Sequence, residues 1–232
     1  MPRVIRRLAA IAAFGAASVL PMAAQATLID FEDPLLTGLY FSGDTFTQAG
    51  FLMTQEFGDS GTVDRGSALG AAAPTNNTTQ FYTNTNDGGL LLTSATGRPF
   101  SLDGFDAAFV PLIGSVATPQ TLGIVAFATT ATGATFGTIF GLGNTTSVTQ
   151  GSPFLTFAGA ANFGRFSNLI SVDFFTCTIA NGQLCTLLTQ NNGQFALDNI
   201  RVTAPVPEPE TYALMMAGLA AMAAVARRRR RL

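Results

Sequence analysis

The chain has 232 residues and contains no histidine, which excludes a histidine-based catalytic triad and a histidine-ligated metal site. Its two cysteines are too few for a zinc or iron–sulfur site built from four thiolates. The formal net charge of −2 is the sum of two basic ends and an acidic body, residues 27–203. The body has four arginines and twelve acidic residues, so its own charge is −8. A charge of this sign disfavours nucleic-acid binding by the body.

The first 26 residues have the three-part layout of a secretory signal peptide. Three arginines among the first seven residues are followed by an apolar run, Leu8 to Leu20, and by the small-residue sequence Ala24-Gln25-Ala26. The run is short for a membrane-spanning helix, and an Ala-x-Ala ending is typical of a cleavage site. We therefore predict a signal helix that signal peptidase removes after Ala26, so that the mature protein starts at Thr27 outside the cytoplasm.

Residues 27–203 predict an all-β domain. Threonine and phenylalanine are frequent, turns rich in glycine and asparagine separate short runs, and no stretch keeps apolar residues at helical spacing. This pattern favours a sandwich, and we predict a jelly-roll β-sandwich of about eight to ten strands whose first and last strands lie close together in one sheet. The candidate strands are Leu28–Phe31, Phe46–Gln55, Gly89–Thr93, Phe100–Phe109, Thr121–Thr129, Thr135–Leu142, Phe154–Ala158, Leu169–Cys177, Leu184–Leu188 and Phe195–Thr203.

Acidic residues are the only abundant chemical resource of the body. In the strand that starts at Phe100, Phe105 falls on the polar face, and we expect Gly104 to mark a β-bulge that corrects this. Asp103 and Asp106 would take opposite faces of a regular strand, a poor arrangement for the paired carboxylates of a glycosidase. Because histidine and lysine are absent as further acid–base groups, we expect no enzymatic activity.

The least periodic part of the body is residues 59–86, which we interpret as a long surface excursion over one end of the sandwich or as a disordered loop. Aromatic residues near turns are candidate platforms for stacking on a sugar ring, above all Tyr40 and Tyr82, with Phe41 and Phe81 beside them. Most of the twenty phenylalanines are nevertheless expected to fill the core.

Cys177 and Cys185 flank a turn at Asn181-Gly182 in a predicted hairpin. A three-residue loop, Ala180 to Gly182, would place the two cysteines opposite each other, and a two-residue loop would offset them by one position. An even number of cysteines in an exported protein indicates a disulfide.

The C-terminus combines a linker rich in proline and glutamate, residues 204–210, with an apolar run and an arginine cluster in residues 211–232. The fifteen residues from Tyr212 to Ala226 would form a helix of about 22 Å, short of the ~30 Å hydrocarbon core, although flanking residues or local thinning would close the gap. Such a transmembrane helix would keep its arginines on the cytoplasmic side.

Three unlike elements occur in order at this end of the chain, namely Pro207-Glu208-Pro209, an apolar helix and an arginine cluster. Together they resemble the PEP-CTERM sorting signal of exported bacterial proteins. The resemblance implies transient anchoring in the inner membrane and cleavage near the Pro-Glu-Pro by an exosortase, followed by residence at the cell surface or in the extracellular matrix. The arginines of the cluster are Arg227, Arg228, Arg229, Arg230 and Arg231.

Two short sequences, Asp30-Phe31-Glu32 and Asp198-Asn199-Ile200, resemble the ends of carbohydrate-binding-module jelly rolls. The resemblance implies a structural Ca²⁺ held by Glu32 and Asp198. Carbonyl oxygens near Gly43 and Asp44 would complete the set of oxygen ligands that Ca²⁺ prefers. In the alternative, the N-terminal acids lie in solvent and Asp198 caps a turn.

These features predict an exported, non-catalytic protein of the cell surface or extracellular matrix. The alternative is a lectin-like carbohydrate-binding module with a structural Ca²⁺, for which exopolysaccharide would be the partner. A glycoside-active enzyme is the least favoured of the three.

Overall fold

The computed structural model describes residues 25–58, 60–67, 69–85, 87–111, 121–144, 151–180, 184–187, 193–204, 216–220 and 222. The chain divides into a body, residues 26–204, and a second unit made of residues 1–25 and 205–232. In the second unit residues 216–220 and 222 are helical, and no helix among the described residues is long and apolar enough to cross a membrane. The predicted signal helix, Ala24, the Pro-Glu-Pro sequence and the arginine cluster lie outside the described residues.

The body consists of two seven-stranded sheets. Its strands are β1 (Gln25–Ile29), β2 (Gly38–Phe41), β3 (Thr45–Gln48), β4 (Phe51–Glu56), β5 (Ser60–Asp64), β6 (Phe81–Thr85), β7 (Gly89–Ser94), β8 (Ser101–Phe109), β9 (Thr121–Thr130), β10 (Thr135–Asn144), β11 (Leu155–Ala158), β12 (Leu169–Ala180), β13 (Leu184–Leu187) and β14 (Phe195–Ala204). In the described part of the body, a short helix, α1 (Ala160–Phe163), follows β11, and 3₁₀ turns lie at Pro34–Leu36 and Gly70–Ala72.

Sheet A has the strand order β11-β8-β14-β6-β5-β2, and β1 also pairs with β14. Sheet B has the order β10-β9-β12-β7-β4-β3, and β13 also pairs with β12. The predicted jelly-roll β-sandwich is confirmed, and so is the placement of the first and last strands side by side. Cleavage after Ala26, which stays a prediction, would fall within β1.

The structure has more strands than predicted, because three were missed and one predicted strand is two. Residues 59–86 are not simply a surface excursion, since β5 and β6 lie inside sheet A and Tyr82 is fully buried. Their sequences, SGTVD and FYTNT, hold few aliphatic residues, so alternation did not reveal them. The predicted strand Phe46–Gln55 turns back at Ala49 and Gly50, both at positive φ, to form β3 and β4.

Aromatic rings fill the space between the sheets. The Phe105 ring lies 5.0 to 5.8 Å, centroid to centroid, from four other phenylalanine rings of the sandwich. Helix α1 contributes one of them, Phe163, which is buried. Burial of each such ring stabilises the fold by about 1.5 to 3 kcal/mol relative to exposure. Because the chain has no tryptophan, phenylalanine supplies most of the aromatic rings of the core.

Two bulges set which residues of β8 and β14 face the core. Gly104 and Leu102 pair with the consecutive residues Arg201 and Val202, which confirms the bulge predicted at Gly104. Leu102 and Phe105 therefore both enter the core. As a result, Asp103 and Asp106 share the outer face of sheet A, and the expectation that they lie on opposite faces is wrong.

The predicted disulfide between Cys177 and Cys185 is confirmed, with the two Cα atoms 5.3 Å apart. The register differs from both alternatives that the sequence left open, because Cys177 pairs with Leu187 and Cys185 pairs with Ile179. The connection therefore begins after Ala180, which itself pairs with Leu184, and the disulfide joins diagonal rather than opposite positions.

Candidate functional site

Part of the outer face of sheet A is covered by the chain itself. The segment that leads into β6 places Leu69 and Ala72 against Ala108 and Ala196, and these residues form a second buried apolar cluster. Phe154 packs on the edge of this cluster and meets the ring of Phe81 at 5.5 Å. Phe81 is therefore buried and is not available as an exposed platform.

Asp198 lies beside this cover and is buried, with 1% of its surface exposed. The second of the two bulges between β8 and β14 follows it directly, and there Asn199 has a φ of 49°. Asn77 Nδ2 donates a hydrogen bond to Asp198 Oδ2 at 2.7 Å, and the Asn199 backbone N–H donates to Asp198 Oδ1 at 2.7 Å. A weaker bond from Thr79 Oγ1 to the same Oδ2 spans 3.5 Å.

Glu32 approaches the same segment from the other end of the chain. The Gln80 backbone N–H donates to Glu32 Oε1 at 2.7 Å, and Thr37 Oγ1 donates to Gln80 Oε1 at 2.6 Å. Burial raises the pKa of Asp198 to about 6 despite its hydrogen bonds, and the charges of Asp106 and Glu32 add to this rise. Residues 77–80 therefore tie together the two carboxylates that the sequence singled out.

The other acids near the first strand have local roles. Asp30 Oδ1 accepts a hydrogen bond from Gln48 Nε2 at 2.8 Å, and Asp33 Oδ1 accepts one from the Leu35 N–H at the start of a 3₁₀ turn. The Asp44 carbonyl accepts from Gln55 N at 2.9 Å and the Asp44 carboxylate accepts from Phe41 N at 2.8 Å. The Gly43-Asp44 segment thus closes the turn between β2 and β3.

Asp103 and Asp106, although on one face, are each engaged by a residue of β14. Asp106 forms an ion pair with Arg201 at 3.1 Å and accepts a hydrogen bond from Asn199 Nδ2 at 2.9 Å. Asp103 accepts a hydrogen bond from Thr203 Oγ1. Both carboxylates therefore serve to hold β8 against β14.

The outer face of sheet B, in contrast, presents large apolar side chains to solvent. Phe57, Phe127 and Ile139 are 47%, 40% and 38% exposed. The ring of Phe175, on the central strand β12, lies 6.4 Å from that of Phe57. We call Phe57, Glu56, Phe127, Ile139, Asp173 and Phe175 the sheet B face.

Asp173 lies in the middle of the sheet B face, where its neighbours across the sheet are Leu91 and Phe127. Its Oδ1 atom is buried and has no hydrogen-bond partner among the described residues. Burial raises the pKa of Asp173 to about 7, and the negative charge of Glu56 adds to this rise. A carboxyl group that is half protonated near neutral pH can either donate or accept a hydrogen bond.

The two tyrosines proposed as sugar platforms take other places. Tyr82 is fully buried in the core, so its assignment as an exposed platform is wrong. Tyr40 is half-buried, donates a hydrogen bond from its hydroxyl to the Leu36 carbonyl at 2.7 Å, and packs 4.5 Å from Phe46. Phe41 is the one of the four candidate aromatic residues that stays well exposed, at 57%.

The sheet B face was not among the sites predicted from the sequence. One signal was present, because Asp173 interrupts the run Val172-Asp173-Phe174-Phe175 in an otherwise apolar strand. An acid at such a position is expected to face away from the core. Phe127 gave no comparable signal, since its neighbours Ala126 and Ala128 are also apolar and both are buried.

No group of three or more Asp, Glu, Cys or His side chains in the described part of the chain is arranged to hold a metal ion. Glu32 and Asp198 supply two carboxylates, and the Thr79 hydroxyl oxygen lies 3.5 Å from Asp198 Oδ2. The other groups bonded to these carboxylates are N–H donors of Asn77, Gln80 and Asn199. Ca²⁺ accepts carboxylate and hydroxyl oxygens together with backbone carbonyls and water.

Residues 205–231 match the PEP-CTERM protein-sorting motif. The chain therefore carries the signal of an exported protein that an exosortase handles at the membrane. No curated protein sequence matches the chain.

Several solved carbohydrate-binding modules are similar to the chain at low identity. The CBM22-1 xylan-binding domain of Xyn10C from Paenibacillus barcinonensis is 12% identical, with a TM-score of 0.36 over 82% of this chain and 100% of that one. The CBM22-1-CBM22-2 tandem domain of the same protein is 13% identical, with a TM-score of 0.37 over 80% of this chain; the match spans about half, 48%, of the tandem. The family 11 carbohydrate-binding module from Clostridium thermocellum, solved with a β-1,3-1,4-mixed-linked tetrasaccharide, is 13% identical, with a TM-score of 0.28 over 81% and 100% of the two chains.

Proposed function

We propose that this chain is an exported, non-catalytic protein that works at the cell surface or in the extracellular matrix after an exosortase cuts its tail. The single observation that carries this proposal is the match of residues 205–231 to the PEP-CTERM motif. Signal peptidase would act first, at Ala26, and the inner membrane would hold the chain only until the second cut. The engagement of Asp103 and Asp106 by β14 supports the non-catalytic part, because neither is free to act as an acid or base.

Within that role, the body binds polysaccharide through the sheet B face. This proposal rests on the contrast between the two sheets, since sheet A is partly covered by residues 69–73 and 154, whereas sheet B exposes aromatic rings around the partly exposed Asp173. Sugars present apolar C–H faces that stack on aromatic rings and hydroxyls that bond to carboxyl groups. The described residues of this face include no basic side chain, which favours an uncharged glycan over an acidic one.

We expect Phe127→Ala to weaken polysaccharide binding about tenfold, because truncation of a central aromatic anchor costs on the order of 1 to 2 kcal/mol. The measurement is a glycan array followed by calorimetric titration with the best neutral oligosaccharide. Phe41→Ala is the matched control, since Phe41 is also an exposed phenylalanine, at 57% against 40% for Phe127, but lies on β2 in sheet A. Equal weakening by both variants, or no binding by the unaltered protein, would contradict the proposal.

The Glu32 and Asp198 carboxylates together form a structural Ca²⁺ site in this proposal. Residues 77–80 hold both groups near each other, and the repulsion between them is what a divalent cation would relieve. Thr79 Oγ1, which lies 3.5 Å from Asp198 Oδ2, would supply a neutral oxygen beside them. The bound ion would join the first strand region to the last strand and to the segment before β6.

Added Ca²⁺ is expected to raise the Tm of the body by about 5 to 10 °C at saturation, and EDTA is expected to reverse the change. The effect should be full at pH 8 and small at pH 5, because Asp198 has a pKa of about 6 and must be deprotonated to bind the ion. Without Ca²⁺, the body is expected to be more stable at pH 5 than at pH 8. A raised carboxyl pKa means that the folded state holds the proton more tightly, so stability falls as pH rises from about 4 through about 6.

Two glutamate substitutions separate this site from a general effect of charge. Glu32→Gln keeps the acceptor for the Gln80 N–H but removes the charge, and it should abolish the Ca²⁺ response. Glu56→Gln, on the sheet B face, should leave it intact. A Ca²⁺ response that survives Glu32→Gln, or that is absent from the unaltered chain, would refute the site.

A further inference from the structure

We infer that two copies of this chain pair through β10 to form a closed antiparallel dimer. β10 is an edge strand, because the order of sheet B ends with it and, among the described residues, only β9 pairs with it. It is ten residues long. About half of the backbone N–H and C=O groups of an edge strand point away from the sheet, and they offer hydrogen bonds to another strand.

The strands at the other three ends of the two strand orders are short or engaged, as natural sheets usually keep them. β1 and β13, which pair off these orders, are also short, with five and four residues. β2, β3 and β11 have four residues each. In β2, the Phe41 N–H and C=O bond to Asp44 of the following turn. In β3, the Gln48 side chain bonds to Asp30 and to the Phe31 N–H, so that segment of the chain lies beside the strand.

β10 lacks the devices that protect an edge. It holds no charged residue and no proline, and its one irregularity lies near its end, between Gly141 and Gly143. The solvent-facing side of β10 carries three glycines and Ile139, so it is apolar and has few bulky side chains. A long, flat, uncharged edge is the kind of strand that pairs with another chain.

The charge distribution of the body favours a second copy of this chain as the partner of β10. The body carries a charge of −8, so most of its surface repels another copy, yet residues 107–164 contain no charged residue at all. β9, β10 and β11 all lie in this stretch. Phe140 of β10 and Phe157 of β11 meet at 5.2 Å across the sandwich, so both sheets end on the same uncharged side. Two copies can approach there without opposing carboxylates.

The expected geometry is a two-fold pairing centred on Ile139, which would place Gly137 of one copy opposite Gly141 of the other. Such a contact uses the same strand on both copies, so it closes at two and does not propagate. It would join the two B sheets into one continuous sheet. This dimer does not depend on the proposed binding of polysaccharide, and its test needs no glycan.

The test measures the mass of residues 26–204 in solution. This segment contains the whole sandwich core and is a compact unit by itself. Sedimentation velocity at increasing micromolar concentrations should show a monomer–dimer equilibrium. Gly141→Lys should raise the dissociation constant at least about tenfold, because a lysine on an edge strand opposes pairing. A side chain at Gly141 meets nothing within 4 Å, so this variant should fold normally.

Gly38→Lys is the matched control, because Gly38 also has open space around it and lies on the edge strand β2. It adds the same charge and should leave the dimer unchanged. In Ile139→Cys, the new cysteines of the two copies should form a disulfide with each other under mild oxidation. A monomer at all concentrations, larger oligomers, or equal effects of the two lysine variants would overturn the inference.

Discussion

A chain that ends at Ala204 is expected to be exported but not retained, and to appear in the medium without passing through a membrane-bound form. The full chain should instead accumulate in the membrane fraction of cells that lack the exosortase, because the apolar run and the arginine cluster that follow residue 210 remain attached. In cells with the exosortase, the mature protein should lose residues beyond the Pro-Glu-Pro sequence. Cell fractionation with mass spectrometry of the intact protein measures all three outcomes.

Two neighbouring glutamates give this experiment its control. Glu208→Ala alters the Pro-Glu-Pro sequence and should block processing, so that the protein stays with the membrane. Glu210→Ala removes the same charge two residues later, outside the triplet, and should be processed like the unaltered chain. If both variants behave alike, or if the chain ending at Ala204 is located like the full chain, the tail is not a sorting signal.

The sequence predicted the sandwich because most strands carry apolar alternation between glycine-rich turns. Strands β7 to β14 lie within a few residues of the predicted bounds. β5 and β6 escaped because their core is partly polar, with Gln55, Tyr82 and Asn84 buried together. A rule that places polar residues outside cannot find strands whose buried side chains satisfy each other by hydrogen bonds.

The candidate Ca²⁺ site could be predicted from the sequence only in part, because the segment that joins its two carboxylates is polar and has no apolar pattern. The two ends of the body carry acids at recognisable positions, and the structure places Glu32 and Asp198 around one short segment. That segment, residues 77–80, looked like a featureless polar loop, and its role depends on contacts about 120 positions away in the chain. The sheet B face required knowledge of which sheet is covered, and strand order is not encoded in local periodicity.

The buried polar cluster leads to the largest stability effect that we expect, from Gly61→Ala. Gly61 lies on β5 directly against this cluster. A Cβ there would overlap Gln55 Oε1 and would approach the Tyr82 ring and hydroxyl to 2.7 Å. The same two groups are bonded to each other, because the Tyr82 hydroxyl donates to Gln55 Oε1. The methyl group therefore cannot be accommodated without breaking a buried hydrogen bond.

We expect Gly61→Ala to cost about 3 to 5 kcal/mol, the sum of overpacking and of a buried group left unpaired. In a body of this size the loss corresponds to a Tm lower by about 10 °C. Gly38→Ala, on the neighbouring strand β2 with nothing within 4 Å, should change the stability by less than about 0.5 kcal/mol. Thermal and urea unfolding of residues 26–204 measure both.

A double-mutant cycle identifies the cause. Gln55→Ala is destabilising by itself, because it deprives the Tyr82 hydroxyl of its acceptor. It also removes the atom closest to the new methyl group, so Gly61→Ala should cost at least about 1 kcal/mol less in that background. Strict additivity would show that the overlap with Tyr82, and not the one with Gln55, sets the cost. The cycle therefore decides whether β5 packs against a buried polar cluster that leaves room only for a glycine. Such packing gives a strand no apolar alternation, which is why apolar periodicity did not predict β5.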